Sequence, residues 1–418
     1  MPDTSLDRNL APAVRDALAD TPVVLLSGAR QVGKSTLAAR LAAEGFGGGG
    51  ARSVTLDDAT VLAAATADPD AFVRSFEGPA VIDEVQRAPG LFRALKASVD
   101  ADRRPGRFLL TGSADVLTLP RVSESLAGRM EVLTLWPFSQ GELERRREGF
   151  VDAVFSDVLP AAVEGPPVPA ADLRARVLRG GYPEAVARLS AERRSRWFAS
   201  YVTTILQRDV RDLAQVEGLT QMPRLLQLLA ARSGSLLNYS EVSREAGLPN
   251  STLKRYTALL EATYLFRPLP AWSANLTTRL VKAPKALLTD TGLAADLVGL
   301  AEAGGPGDAL WGNLLETFVA MELEKQRGWA VRRFAPFHFR TARGEEVDVV
   351  LEAASGHLVG VEVKASTQVT ERAFAGLRAL QAARPAQFVR GVVLYGGTEV
   401  VPFGDRLHAV PISALWRW

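Results

Sequence analysis

Short apolar runs alternate with helix-like segments from Pro22 to about Phe138. The runs are Val23–Leu26, Ser53–Leu56, Ala80–Ile82 and Phe108–Leu110. Parallel strands that are covered on both faces have this continuous apolar pattern, and helices cross between them. The first third of the chain is therefore predicted to be an α/β domain built around a parallel sheet.

Helical spacing replaces this pattern after a proline-rich segment. Glu164–Pro169 contains three prolines and a glycine, so it predicts a loop near a domain boundary. From about Ala171 to Gly234 the apolar residues recur at helical intervals, and this part is predicted to be all α. Nearer the end of the chain, the pattern predicts a helix and two strands, at Leu314–Gln326, Val347–Leu351 and Leu358–Val363.

Composition narrows the classes of protein. A chain of 418 residues with 47% hydrophobic and 23% charged residues is typical of a soluble protein with several domains. The absence of cysteine, and three histidines that are far apart, exclude disulfides, thiol catalysis and Cys/His zinc sites. The net charge of +2 means that any basic surface is local. We expect a cytoplasmic protein without a membrane segment, because there is no leader-like N-terminus and no apolar run of about 18 residues.

A glycine-rich motif follows the first predicted strand. Gly28–Ser35 matches the pattern G-x-x-x-x-G-K-[ST] and directly precedes a helical segment, which is the context that this phosphate-binding motif requires. Backbone N–H groups of such a loop face the phosphates, while Lys34 neutralises their charge and Ser35 binds Mg²⁺. The alternative is a chance glycine-rich turn. The predicted nucleotide ligands are Gly28, Arg30, Gln31, Val32, Gly33, Lys34, Ser35 and Thr36.

Polar residues at the ends of two further strands extend this site. Asp83 would bind the metal through water, and Glu84 would polarise the attacking water, although two acids after a strand can also form a solvated turn. Thr111 or Ser113 would sense the γ-phosphate or orient water, or else cap the strand end. Arg129 would meet transition-state charge from the same or a neighbouring subunit of a homo-oligomer, or else form a structural ion pair.

Together these motifs resemble the AAA+ ATPases, specifically a bacterial and archaeal family that joins an N-terminal ATPase to a C-terminal domain of unknown function. The segments that carry the resemblance are Ser27–Thr36, Leu56–Asp58, Ile82–Pro89, Leu110–Ser113, Leu126–Arg129 and Arg179–Glu184. The resemblance implies ATP and Mg²⁺ as cofactors and places Pro183 on the adenine side of the nucleotide, on a helical lid. A glycine-rich break before a helix is the alternative interpretation of the last segment.

The middle of the chain has the layout of a helix-turn-helix. Ser240 is the predicted N-cap of a first helix, and a second helix is predicted at Ser251–Glu261, with Lys254 and Arg255 on its outer face. Two extended segments, Leu265–Leu269 and Arg279–Lys282, would form the strands of a wing. Arg279, Lys282 and Lys285 would contact a DNA backbone. Winged helices in ATPases also serve as packing or partner surfaces.

Three acids and a lysine stand out near the end of the chain. Glu316 lies in a predicted helix, Asp348 in a strand, and Glu362 and Lys364 share one face of another strand. The acids would bind Mg²⁺ or Mn²⁺, and Lys364 would orient or deprotonate the attacking water. This pattern resembles the PD-(D/E)XK nucleases, although no proline directly precedes Asp348. The alternative is a salt-bridged hairpin in an inactive descendant, and Arg340 would bind phosphate or pair with a neighbouring acid.

The sequence thus predicts an α/β protein with four parts and two functional sites. The parts are a P-loop AAA+ ATPase domain (1–150), a helical lid (151–235), a winged-helix domain (236–303) and a restriction endonuclease-like domain (304–418). The predicted function is Mg²⁺-dependent ATP hydrolysis by a protein that binds nucleic acid, DNA in particular, and carries a metal-dependent nuclease-like domain. The alternative is an ATP-regulated switch or binding module whose nuclease-like domain is inactive.

Overall fold

The computed structural model describes residues 6–48, 50–113, 126, 128–210, 219–275, 277, 279, 282–300 and 308–418. The chain forms two compact units. Unit 1 comprises Met1–Phe138, Gln207–Gln215 and Ala258–Leu265, and unit 2 comprises Ser139–Leu206, Val216–Thr257 and Phe266–Trp418.

Unit 1 is built on a five-stranded sheet in which every pairing is parallel. Its strands are β1 (Val23–Ser27), β2 (Arg52–Thr55), β3 (Ala80–Asp83), β4 (Phe108–Gly112) and β5 (Met130–Thr134). The strand order is β2-β3-β4-β1-β5, so the carboxyl ends of β1, β3 and β4 lie along one edge. The predicted parallel α/β domain and its four predicted strands are confirmed.

Helices join these strands and cover the sheet. They span Ala11–Asp20, Lys34–Glu44, Ala59–Ala67, Pro69–Arg74 and Leu91–Ala101. Every residue of β1 and β4 is buried, which explains why these strands are apolar throughout. The helix Leu91–Ala101 is amphipathic, and it turns Leu91, Phe92 and Leu95 into the core beside the strands.

Two later segments of the chain belong to unit 1. The hydroxyl groups of Tyr264 and Ser27 are 2.6 Å apart, and the ring of Tyr264 meets that of Trp136 edge to face at a centroid distance of 5.6 Å. The other segment includes the end of a π-helical turn, Ile205–Val210. Both segments therefore reach the edge of the sheet where β1 ends.

The first part of unit 2 is helical, which confirms the all-α pattern predicted from about residue 171. Its helices span Gln140–Leu143, Phe150–Phe155, Ala170–Arg179, Pro183–Val186, Ala191–Thr204, Met222–Ala231 and Tyr239–Ala246, and those nearer the C-terminus span Thr291–Leu297, Asp308–Gln326, Ala375–Ala383 and Ala414–Arg417. A further helix, Asn250–Ala262, begins in unit 2 and ends in the segment of unit 1 that starts at Ala258. The predicted loop at Glu164–Pro169 is also observed.

The helix-turn-helix pattern yields two helices, but its cap was assigned to the wrong residue. The carboxamide oxygen of Asn238 accepts hydrogen bonds from the N–H groups of Ser240 and Glu241, so the first helix begins at Tyr239 and Ser240 lies inside it. Asparagine and serine are equally good N-caps, and the sequence alone did not decide between them. Lys254 and Arg255 are exposed on the second helix, as the pattern predicts.

Only the first predicted wing strand lies where it was expected. Strand β6 (Phe266–Leu269) pairs antiparallel with β7, which spans Lys285–Leu288 rather than Arg279–Lys282. Leu280 and Val281 lie outside the described residues. The predicted phosphate contact at Lys285 is wrong, because its side chain is buried. Arg279 forms a two-fold ion pair with Glu352, and its contact with a DNA backbone stays a prediction, as does that of Lys282. The winged-helix assignment itself stays a prediction.

The rest of unit 2 contains a six-stranded mixed sheet in the order β12-β13-β11-β10-β9-β8. Its strands are β8 (Phe334–Arg340), β9 (Glu346–Ala353), β10 (Leu358–Lys364), β11 (Phe388–Tyr395), β12 (Val401–Pro402) and β13 (Leu407–Pro411). The helix Ala375–Ala383 packs so closely on β9 that a Cβ atom on Gly376 would lie 1.8 Å from the carbonyl oxygen of Glu346. The predicted helix and two strands of this region are confirmed. Among the described residues, no helix is long and apolar enough to cross a membrane.

Candidate functional site

The loop between β1 and the next helix needs glycine at two positions. Gly28 has φ 148°, and a Cβ atom there would lie 2.2 Å from the carbonyl oxygen of Leu135. Gly33 has φ 97° and precedes the helix Lys34–Glu44, whose N-terminus it exposes. The loop thus has no side chain at Gly28, where its backbone meets that of Leu135, or at Gly33, where its backbone is left-handed. Its N–H groups can therefore face an anion.

Lys34 lies at the centre of this loop and is only 4% exposed. Its ammonium group donates hydrogen bonds to the carbonyl oxygens of Gly28 (3.0 Å) and Ala29 (2.8 Å). Burial lowers the pKa of Lys34 to about 8, although Glu84, Asp83 and other nearby acids oppose the change. A bound anion would replace solvation that this cation has lost.

Ser35 and Asp83 face each other across the ends of β1 and β3. The hydroxyl group of Ser35 donates to the two carboxylate oxygens of Asp83, at 2.8 and 3.1 Å. The hydroxyl group of Thr111 also donates to Asp83. This set of hard oxygen donors beside a phosphate-binding loop fits a hydrated Mg²⁺ ion.

Glu84 is held by the neighbouring strand. Its backbone is in the left-handed region (φ 59°), and its N–H group donates to the hydroxyl oxygen of Thr111 at 3.1 Å. The Ser113 hydroxyl donates to its carboxylate at 3.1 Å, and the Gln86 amide donates to it as well. A non-glycine residue in this conformation is strained, and such strain is concentrated at functional sites. The hydroxyl groups of Thr111 and Ser113 thus contact the two acids, and their predicted role toward the γ-phosphate or water stays a prediction.

Arg8 joins the phosphate loop to the segment after β5, and the sequence analysis missed it. Its guanidinium group donates to the carbonyl oxygens of Val32 (2.7 Å) and Trp136 (2.5 Å) and lies over the ring of Phe138. Arg8 is 9% exposed. Its partners are 24 and 128 residues away in sequence, so no local pattern could have identified it.

The remaining predicted residues of this site lie in different surroundings. Gln31 and Thr36 are exposed, and Arg30 pairs with Asp209 at 3.2 Å. Arg129 pairs with Asp100 at 2.5 Å, which is the ion-pair alternative, and parts of the predicted element beside it, including Ala127, lie outside the described residues. Pro183 begins a short helix in unit 2, so the phosphate loop and Pro183 belong to different units.

A second cluster of charged side chains lies in unit 2. The structure brings the predicted residues Glu316, Asp348, Glu362 and Lys364 into one neighbourhood, since Lys364 pairs with Glu362 at 2.7 Å and Asp348 accepts a hydrogen bond from the N–H group of Val363 at 2.9 Å. The sequence analysis did not anticipate that a second lysine, Lys285, lies among these residues. The ammonium group of Lys285 lies 3.0 Å from each of three carboxylates, those of Glu316, Glu346 and Asp348.

The carboxyl groups of this cluster outnumber its two lysines. Burial raises the pKa of Glu362 to about 8 and that of Glu316 to about 7, and the charge of Asp348 adds to both shifts. Burial alone would lower the pKa of Lys285, but Asp348, Glu316 and Glu346 outweigh it and raise that pKa. One carboxylate oxygen of Glu362 is buried without a hydrogen-bond partner in the described structure. Two lysines thus leave part of the acid charge uncompensated.

The position of Lys285 changes the interpretation of the metal site expected at Glu316, Asp348 and Glu362. Two of these acids are directed at an ammonium group, and in the described part of the chain no three histidine or carboxylate side chains are arranged to hold a metal ion. A cavity of about 500 Å³ opens beside the cluster, and the exposed Arg340 lines it. Glu346 is paired with Lys285 and Glu345 with Thr341, so neither acid is the partner expected for Arg340.

Three family models match consecutive parts of this chain. An AAA domain matches residues 20–144, a domain of unknown function (DUF8612) matches residues 170–303, and a second one (DUF4143) matches residues 311–415. The first match confirms the expected AAA ATPase domain. The resemblance of the C-terminal region to nucleases stays a prediction.

Two mycobacterial proteins are similar along nearly the whole chain. They are the uncharacterized proteins Rv2008c of Mycobacterium tuberculosis and Mb2031c of Mycobacterium bovis, each 33% identical over 421 residues that cover 98% of this chain and 84% of the relative. Among solved structures, a signal transduction ATPase with a tetratricopeptide repeat sensor from Pyrococcus horikoshii aligns with a TM-score of 0.21 at 10% identity. That alignment covers 78% of this chain and 48% of the other, so this chain spans about half of that protein. By its identity to the two mycobacterial proteins the chain belongs to their family, and its residues 20–144 form an AAA ATPase domain.

Proposed function

We propose that the protein binds ATP with Mg²⁺ in unit 1 and hydrolyses it slowly. The observation that carries the proposal is the phosphate loop beside two oriented acids: the buried Lys34 lies within the loop, and Ser35 is hydrogen-bonded to Asp83 at 2.8 Å. A buried cation within a glycine-rich loop at a helix N-terminus favours a polyanionic ligand.

Each of these residues has a distinct task in the proposed reaction. Lys34 draws negative charge from the phosphates, and Ser35 with Asp83 provides the oxygen ligands of the metal shell. When bound, Mg²⁺ supplies positive charge that offsets the charge developing on the phosphates. Glu84 accepts a hydrogen bond from the attacking water and withdraws its proton, and the hydroxyl group of Ser113 fixes the direction of that carboxylate.

Replacing Glu84 by glutamine tests the assignment. Glu84→Gln should bind ATP about as tightly as the wild type and fail to turn it over, because the amide keeps the shape of the side chain and cannot accept a proton. Binding is measured by calorimetry and turnover by phosphate release. Glu131→Gln, which alters an exposed glutamate on β5, is the matched control and should behave like the wild type. Normal turnover by Glu84→Gln would show that another group is the base.

A second candidate function concerns nucleic acid. We propose that the helix Asn250–Ala262 binds nucleic acid, DNA in particular, through the exposed Lys254 and Arg255, and that binding alters ATP turnover. Contacts from two cations to phosphate oxygens would be weak and dependent on salt. The role of Arg129 in a neighbouring subunit of a homo-oligomer stays a prediction.

For the C-terminal region, the alternative of an inactive nuclease-like domain has the better support. Lys285 compensates carboxylates that a catalytic metal would need, and its removal from the cluster would leave buried charges unpaired. We therefore propose that the C-terminal region is a binding module or switch and not a working nuclease. The role of Lys364 in orienting water belongs to the nuclease alternative.

DNA-dependent turnover and cleavage separate these possibilities. We expect ATP turnover to rise with DNA at low salt, and we expect no strand cleavage with Mg²⁺ or Mn²⁺ in any nucleotide state. The double change Lys254→Gln and Arg255→Gln should remove the stimulation. Turnover that is unaffected by single-stranded, duplex and branched DNA would contradict nucleic-acid binding, and cleavage that disappears in Asp348→Ala would establish the nuclease.

A further inference from the structure

The π-helical turn Ile205–Val210 brings an acid to the phosphate loop from a distant part of the chain. Asp209 lies 179 residues after Arg30, and the two side chains form an ion pair at 3.2 Å. π-Helical turns are rare, and they are found frequently at functional sites. The part of this turn from Gln207 onward belongs to unit 1, where it carries Asp209.

Asp209 is buried and only partly satisfied. Its side chain is 8% exposed, and its second carboxylate oxygen has no hydrogen-bond partner among the residues that the structure describes. Leaving a buried carboxylate oxygen without a partner is costly, so a structural role alone does not account for an acid here.

The surroundings of Asp209 are those of the proposed nucleotide site. Burial raises the pKa of Asp209, Arg30 opposes the rise, and the charge of Glu84 adds to it. Lys34 also lies within electrostatic range of Asp209 and Arg30. An anion bound at Lys34 would thus be close to Asp209, the acid that pairs with Arg30 of the loop.

We propose that Asp209 is a positioning residue that holds Arg30 while the γ-phosphate position is empty and gives it up when a triphosphate binds. The inference rests on the proposed ATP site and adds a means of distinguishing ATP from ADP. Arg30 occupies a variable position of the loop motif, so the motif itself assigns it no such role.

Competition between two anions is the physical basis of this exchange. A triphosphate brings several negative charges and a set of oxygen acceptors that suit a guanidinium group better than one carboxylate does. The same charges repel Asp209 across a poorly solvated gap, which weakens its hold on Arg30. ADP lacks the terminal phosphate, so the Arg30–Asp209 pair stays intact when ADP is bound.

Release of Asp209 would loosen the turn that carries it. The preceding residue, Arg208, pairs with Asp57 at 3.3 Å, and both of these side chains are nearly half exposed. Exposed pairs contribute little, roughly 0–1 kcal/mol. Once Asp209 is released, the turn loses its ion pair to the loop and keeps this weak contact and the buried side chains of Ile205, Leu206 and Val210.

The test is the ratio of two affinities in the full-length protein, measured by calorimetry with Mg²⁺. The probes are a non-hydrolysable ATP analogue and ADP. Asp209→Asn keeps the size of the side chain and removes its charge, so the ATP analogue should bind about tenfold more tightly while ADP affinity stays within about twofold. Asp16→Asn removes an exposed acid of unit 1 and should change neither affinity.

A second variant checks that Arg30 is the group being exchanged. Arg30→Gln should weaken binding of the ATP analogue and leave ADP binding unchanged. In the double variant, Asp209→Asn should have no further effect on the ATP analogue, because its partner is gone.

The outcomes separate this inference from the proposal on which it rests. If the wild type binds neither nucleotide, the ATP site itself is wrong. If the wild type binds both and Asp209→Asn changes the two affinities by the same factor, or weakens the ATP analogue, Asp209 has a structural role only and the inference is overturned.

Discussion

Two buried lysines, Lys34 in unit 1 and Lys285 in unit 2, have opposite electrostatic surroundings. They are 4% and 3% exposed, and each has carboxylates nearby. Lys34 donates to two backbone carbonyl oxygens, and burial lowers its pKa to about 8. Lys285 lies 3.0 Å from three carboxylates, which raise its pKa despite burial.

The difference lies in where the neighbouring acids are directed. Asp83 and Glu84 accept hydrogen bonds from the hydroxyl groups of Ser35 and Ser113, and their charges only partly offset the effect of burial on the pKa of Lys34. In unit 2 the acids converge on the lysine itself. A buried cation whose acids are occupied elsewhere is suited to an external anion, whereas one that is surrounded by acids is part of the scaffold.

The largest expected effect follows from removing the scaffold lysine. Lys285→Ala leaves three buried or half-buried carboxylates facing one another, and we expect it to destabilise unit 2 by about 3–5 kcal/mol. The measurement is urea unfolding followed by amide hydrogen exchange in β9 and β10. Lys282→Ala, an exposed lysine three residues earlier, is the matched control and should be neutral.

The same measurement can test whether Lys285, unlike Lys34, is a fixed part of the scaffold. Addition of Mn²⁺ should leave the stability of the wild type unchanged. If Mn²⁺ stabilises the wild type, Lys285 can leave the cluster to a metal ion, and the nuclease alternative regains its support.

Removing the other lysine should affect ligand chemistry rather than stability. Lys34→Ala should lower ATP turnover by about 100- to 1,000-fold, or about 2.7–4 kcal/mol, the usual cost of losing one preorganised group that stabilises developing charge. Unfolding of unit 1 should be nearly unchanged, because in the described structure Lys34 donates to two backbone carbonyl oxygens and forms no ion pair with a carboxylate. Arg40→Ala on the same helix is the control, and turnover by Lys34→Ala at the wild-type rate would remove the loop from the mechanism.

The most gradual effect concerns the dependence of stability on pH. Folding raises the pKa of Glu362 from its usual 4.5 to about 8, so between these values the folded protein keeps a proton that the unfolded chain has released. The free energy of unfolding should therefore fall as pH rises from about 4.5 to 8, by at most about 1.4 kcal/mol per pH unit for this group. Unfolding of Glu362→Gln across this range should show a shallower slope, with Glu316 accounting for what remains.

The sequence predicted those parts of the molecule whose signals are local. The phosphate loop, the strands of unit 1 and the strand pair that carries Asp348 and Glu362 follow from spacing and periodicity within a few residues. Arg8, Asp209 and Lys285 were missed or misassigned, since each acts on partners far away in the sequence. Lys285 in particular follows a segment that the sequence predicts to be a basic wing, and its burial among three acids that are distant in sequence shows that it lies inside the unit.

Unit 1 is assembled from segments that are far apart in the sequence, and this affects its folding during synthesis. Its sheet is complete at residue 134, but Tyr264, which meets Ser27 at the end of β1, belongs to a segment that ends at residue 265. At a synthesis rate of about 5–20 residues per second, the 127 residues between positions 138 and 265 take roughly 6–25 s to emerge. The nascent ATPase sheet exists without Tyr264 for nearly all of that interval and without Asp209 for roughly its first half, so a fragment that stops at residue 138 corresponds to an intermediate of biosynthesis and not to a finished domain.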